Sequence, residues 1–151
     1  MVGAYHDDHW TNLTRAYKTS EMISAALGID SITTDERLRE INCGLIEGTT
    51  EEERILQWGE EWRLKDIGME PYDEVAMRGI EFLYEISIQH PDQYVLIVSH
   101  GALIGLTLQR LLPEFFTKTY IDNAALTVIE RNRDNIWQCN LYNCTKHLGS
   151  R

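Results

Sequence analysis

Between residues 12 and 27, apolar side chains fall at Leu13, Ala16, Tyr17, Ile23, Ala26 and Leu27. This helical-period stripe predicts an amphipathic helix with Thr11 or Asn12 as its cap and Gly28 as its stop. Ile29 to Thr33 reads as a short strand, and residues 35–49 as a loop rich in Arg, Glu and Gly. Thr50 and Glu53 have capping-box spacing, which starts a second helix running to about Lys65, with Gly68 and Pro71 beyond its end. Asp73 is placed to cap a third helix whose buried side uses Ala76, Ile80, Leu83 and Tyr84. That helix stops before the His90-Pro91-Asp92 turn.

Tyr94-Val-Leu-Ile-Val-Ser99 is a continuous apolar run, the pattern of a strand buried on both faces. His100-Gly101 follows at once and opens a helix to Leu112, stopped by Pro113. The tail reads as a hairpin, Leu126–Glu130 and Ile136–Tyr142, around the polar turn Arg131–Asn135. Strands alternating with helices at this spacing predict an α/β fold in three layers, a largely parallel sheet flanked by helices. Ligands of such sheets sit off the carboxyl ends of strands, which places His100 like a site residue.

With 151 residues, 43% of them hydrophobic and 25% charged, the chain has the make-up of one domain over 1–151. A domain of this size buries roughly 70% of the surface its unfolded chain exposes, so its folding requires no disulfide, metal or partner. The net charge of −10 argues against nucleic acid or an anionic membrane as partner, because the phosphate term is repulsive. A small phosphate ester needs only a local positive pocket, and the acidity is itself local: residues 35–74 hold thirteen Asp and Glu against five Lys and Arg. Cys43, Cys139 and Cys144 are odd in number, have no ligand-like spacing and follow no signal peptide, which fits a reducing cytoplasm. The longest uncharged run, Tyr94 to Gln109, falls short of a membrane span.

Phosphoryl transfer through histidine needs a neutral imidazole as nucleophile, cations and donors around the phosphoryl oxygens, and an acid for the leaving oxygen. Arg15, Glu40 and His100 could supply the last two requirements. Taken singly, each has a plain structural reading: a surface arginine on a helix of mixed charge, a solvated carboxylate, a turn histidine satisfied by backbone. His6 and His9 stand three apart in His6-Asp7-Asp8-His9. They could replace a nucleophile or, within one helical turn, ligate a metal, but no third ligand or zincin motif accompanies them. Trp58 and Trp62, four apart, read as a packing stripe.

Four stretches resemble the histidine phosphatase superfamily, which includes the cofactor-dependent phosphoglycerate mutases and related broad-specificity phosphatases. They are Asn12-Leu-Thr-Arg-Ala-Tyr-Lys-Thr-Ser20, Asp35-Glu-Arg-Leu-Arg-Glu-Ile-Asn-Cys-Gly-Leu-Ile-Glu-Gly48, Val95-Leu-Ile-Val-Ser-His-Gly101 and Asp122-Asn-Ala-Ala-Leu-Thr-Val-Ile-Glu130. The resemblance implies a phosphoglycerate mutase-like fold, with Arg15 as a phosphate-pocket arginine and Glu40 as proton donor. It also implies that His100 is the second active-site histidine, stabilising the transferring phosphoryl group. It points to a small phosphorylated substrate or inorganic phosphate as partner, and to chemistry without cofactor or metal. Asn42-Cys-Gly-Leu-Ile-Glu-Gly48, and the short stretch between Glu40 and His100, look like the phosphatase branch rather than the mutase branch.

The chain departs from the family pattern at its start. Members open with a strand ending in Arg-His-Gly, whose histidine becomes phosphorylated, and no Arg-His-Gly occurs here. Residues 1–10 are atypical, and the sequence reads as N-terminally truncated. Two expectations follow. The complete form would hydrolyse small phosphomonoesters through a phosphohistidine; alternatively the chain is an inactive remnant that binds phosphate or a protein. A lost strand leaves unpaired neighbours, which favours homo-oligomerisation.

Overall fold

A computed structural model describes residues 2–3, 14–118 and 120–149. The cap expected at Thr11 or Asn12, and His6 and His9, lie outside the described residues. Three short strands, β1 (Val2–Gly3), β2 (Ile32–Thr33) and β3 (Leu96–Ile97), form a parallel sheet in the order β2-β1-β3. Val2 pairs with both Ile32 and Leu96, and Gly3 with both Thr33 and Ile97. Sequence reading sets residues 1–10 apart as atypical, yet Val2–Gly3 is the middle strand. The far edge of β3 pairs with no strand among the described residues. β4 (Leu126–Arg131) and β5 (Trp137–Cys144) form a separate antiparallel pair.

Helices flank the parallel sheet as expected. α1 (Thr14–Leu27) contacts β1 and β2, while α3 (Tyr72–Gln89) packs along α4 (Gly101–Leu111). Leu38, Ile41, Val75, Ala76, Phe82, Leu103 and Leu106 make the central core, and Ile97 of β3 packs against it. Burying these side chains is the main term that holds the helices to the sheet. The two long helices meet closely: a Cβ on Gly79 would lie 2.0 Å from Thr107 Oγ1. The hairpin turns on Asn132, whose Oδ1 accepts from the amides of Asp134 and Ile136, both at 2.9 Å. Ile129, Trp137 and Cys139 then pack it against Leu108, Leu112 and Phe116.

Three expectations need correction. The second helix, α2 (Glu51–Trp58), has the expected capping box but stops seven residues before Lys65. Gly59 stands at φ +85°, outside helical space, and its amide closes the last turn on Ile55 O at 2.8 Å. Asp73 does not cap α3: Pro71 holds the cap position, and Asp73 and Glu74 lie in the first turn, where they favour the helix dipole. The run Tyr94–Ser99 is not buried on both faces. Tyr94 is 99% exposed and residues 95–99 are half-buried; among the described residues the strand has a neighbour on one edge only. No helix among the described residues is long and apolar enough to cross a membrane.

Candidate active site

The site forms where β3 hands over to α4. His100 occupies the N-cap position of α4 with extended backbone (φ −117°, ψ 157°) and is 3% exposed. Its side chain makes no capping bond. That job falls to Glu40, whose Oε1 accepts from Leu103 N at 3.2 Å, the third residue of the helix, and from Ile41 N at 3.0 Å. A carboxylate here meets the positive end of the helix dipole and satisfies an amide that the helix cannot. Among the described residues Oε2 takes no hydrogen bond, so one oxygen alone anchors the group.

Two ties bring the Glu40 loop to this place. Ser99, the residue before His100, donates from Oγ to Leu38 O at 2.8 Å. Beyond Glu40, Asn42 Oδ1 accepts from Gly44 N at 2.8 Å, and Leu45 N reaches Ile67 O at 2.9 Å. Gly44 sits at φ +59°, and a Cβ there would lie 2.2 Å from Ile67 O, so only glycine fits this turn.

His100 Nε2 is buried without a hydrogen-bond partner among the described residues. Burial is the largest influence on the imidazole and lowers its pKa. The Glu40 carboxylate opposes that fall, while the cations of Arg15 and Arg78 add to it. Burial and the two cations thus favour the neutral imidazole over the imidazolium. The same balance places Arg15, an exposed residue on the first turn of α1, within electrostatic reach of His100. Arg15 and Glu40, far from His100 in sequence, thus both bear on its charge state.

Arg78 and Glu70 belong to the surroundings of this site and were not legible as such in the sequence. Glu70 accepts from Arg39 Nη1 and Nη2 at 2.6 and 2.8 Å, from Arg78 Nε at 2.9 Å and from Asn42 N at 3.0 Å. Burial raises the Glu70 carboxyl, yet these donors outweigh it and hold it at about 2. Trp58 and Trp62 form a packing group with Ile46, Ile55 and Ile67. Trp62 Nε1 donates to Glu51 at 3.1 Å, and the Arg54 and Arg63 guanidiniums lie over its ring. Among the described residues no group of three His, Cys, Asp or Glu is placed to hold a metal ion, and Cys43, Cys139 and Cys144 are free thiols.

Comparison with known proteins identifies the family. The model of the histidine phosphatase superfamily (branch 1) matches residues 5–145. A Bacillus subtilis (strain 168) protein named as the uncharacterized phosphatase PhoE is 31% identical over 139 residues, covering 90% of this chain and 69% of its own. Among solved structures, Bacillus stearothermophilus YhfR superposes with a TM-score of 0.77 at 23% identity, over 97% of this chain and 75% of that one. A mycobacterial glucosyl-3-phosphoglycerate phosphatase in complex with inorganic phosphate gives 0.76 at 23% identity, over 95% and 76%. The chain belongs to the histidine phosphatase superfamily, branch 1.

Proposed function

We propose that this domain hydrolyses small phosphomonoesters, with Arg15 and His100 holding the phosphoryl group and Glu40 serving as the acid. The observation that carries this reading is the convergence on His100: a buried neutral imidazole with an unpartnered Nε2, flanked by the charges of Arg15 and Glu40. A neutral imidazole donates one N–H to a phosphoryl oxygen, and the guanidinium supplies the planar fork that matches phosphate.

In the first step a histidine nitrogen attacks phosphorus, the P–O bond to the leaving group breaks, and that oxygen takes its proton from Glu40. Water then attacks the phosphohistidine, the N–P bond breaks, and Glu40 recovers a proton from the water as orthophosphate leaves. The nucleophilic histidine would enter from a strand on the free edge of β3, the edge leading to His100, or from His6 or His9. The mycobacterial phosphatase, which carries inorganic phosphate, supports a small phosphorylated substrate by its fold. The name of the Bacillus subtilis relative supports a phosphatase. A cytoplasmic setting suits the free thiols.

A second reading rests on the same pocket: an unpartnered Nε2 beside a cation can bind phosphate without turning it over. Calorimetric titration with orthophosphate and with vanadate tests the pocket that both readings share. Arg15→Ala should weaken binding by about 1.5–3 kcal/mol, the range for a charge-assisted hydrogen bond. Equal affinity in the variant removes Arg15 from the site, and binding without any phosphatase activity selects the second reading.

A further inference from the structure

Arg78, in the middle of α3, has a side chain 12% exposed and spends all five of its N–H donors inside the protein. Nη1 donates to Arg37 O at 2.6 Å and to Arg39 O at 2.7 Å, and Nη2 to Glu40 O at 3.2 Å. The remaining two, from Nε at 2.9 Å and Nη2 at 3.2 Å, go to Glu70. One guanidinium thus grips three carbonyls within four residues, and a single carboxylate fixes the guanidinium. That carboxylate also holds Arg39 and the Asn42 amide, so the segment is clamped on both sides of Glu40.

We propose that Arg78 is a positioning residue for the site: anchored on Glu70, it fixes the 37–42 backbone so that Glu40 Oε1 meets the amide of Leu103 beside His100. Its chemistry explains the choice of residue. A lysine offers a point charge with three donors and no fork, and cannot span three carbonyls and a carboxylate together. An unpinned 37–42 segment leaves Glu40 free to leave the helix end, and the acid is then misplaced relative to the leaving oxygen. Small displacements of a catalytic group have large kinetic effects. The proposal rests on Glu40 being the acid, as argued above, but the placement of Glu40 can be read independently of turnover.

The experiment compares wild type, Arg78→Lys, Glu40→Gln and the double variant, with p-nitrophenyl phosphate and an alkyl phosphate as substrates. Arg78→Lys should lower kcat at least about tenfold more for the alkyl phosphate, whose leaving group needs the proton, with KM little changed. The double variant should be no slower than Glu40→Gln alone, because the two residues act as one unit. A loss equal for both substrates, or losses that add in the double variant, overturns the proposal. NMR supplies the second reading: the amide protons of Ile41 and Leu103 should shift in Arg78→Lys and shift no further in the double variant. Unchanged amides in a folded variant overturn the positioning role, whereas shifted amides in a protein without turnover uphold it and contradict the hydrolytic reading. Should Arg78→Lys fail to fold, Glu70→Gln, which keeps the volume and loosens the anchor, gives the same two readings.

Discussion

Glu40 caps the helix that His100 begins: its Oε1 receives the Leu103 amide at 3.2 Å, so carboxylate and imidazole are held by the same helix terminus. Neither group can move far without the other's support being lost. The carboxylate replaces the side-chain cap that His100 does not provide, and the helix end in turn fixes the direction in which Oε2 is offered.

Glu40→Gln should therefore divide the chemistry by leaving group. Turnover of alkyl phosphates should fall about 100-fold or more, the scale of general acid catalysis, with a smaller loss for p-nitrophenyl phosphate. Parallel steady-state kinetics on the two substrates check this, and equal losses would remove Glu40 as the acid.

His100 gives a pH signature of stability. Burial lowers its pKa below the ordinary 6.5, against Glu40 and together with Arg15 and Arg78. Below about 6.5 the unfolded chain takes up this proton before the folded one does, so stability should fall as pH drops through that window and be unaffected above it. His100→Asn should remove this part of the slope, measured as the difference in urea unfolding between pH 7.5 and 5.

Glu70 acts on the acid side with the same sign and a lower window. Its carboxyl is held at about 2 against an ordinary 4.5, so its stabilisation is complete above 4.5 and disappears as pH falls toward 2. Glu70→Gln should cost about 1.5–3 kcal/mol at neutral pH by weakening charge-assisted bonds to Arg39 and Arg78. Unfolding titrations at pH 3 and pH 7 should show that this penalty shrinks on the acid side.

Gly79→Ala tests the α3–α4 contact. The new methyl would lie 2.0 Å from Thr107 Oγ1 and 3.0 Å from its Cβ and Cγ2, so the helices must separate, at about 1–3 kcal/mol. Adding Thr107→Ala should recover part of that loss, since it removes the hydroxyl and leaves only the Cβ contact. Thermal unfolding of the single and double variants decides whether overpacking outweighs the helix propensity that alanine adds to α3.

Much of this was legible in the chain because it is local. The stripe of Ala16, Tyr17 and Ile23, the Thr50–Glu53 box and the Asn132–Asn135 turn each state their structure within a few residues. The α2 stop was also local, since Gly59 breaks the helix and only its positive φ had to be recognised. Residues 2–3 were not legible as a strand: two residues carry no periodicity, and their pairing with Ile32 and Leu96 is set by distant chain. Arg15, Glu40 and His100 stood out through the family motifs, but the bond that brings Glu40 to the start of the His100 helix is tertiary. Arg78 had no signal, because its partners at 37, 39, 40 and 70 are brought together only when α3 packs beside the Glu40 loop.

The most direct measurement is hydrolysis of p-nitrophenyl phosphate by the purified 151-residue chain without added metal, beside His100→Ala as control. The account predicts turnover in the wild type that is abolished in His100→Ala. Turnover equal in both proteins would contradict a phosphatase site built on His100, and turnover absent from both would contradict a nucleophile within these residues.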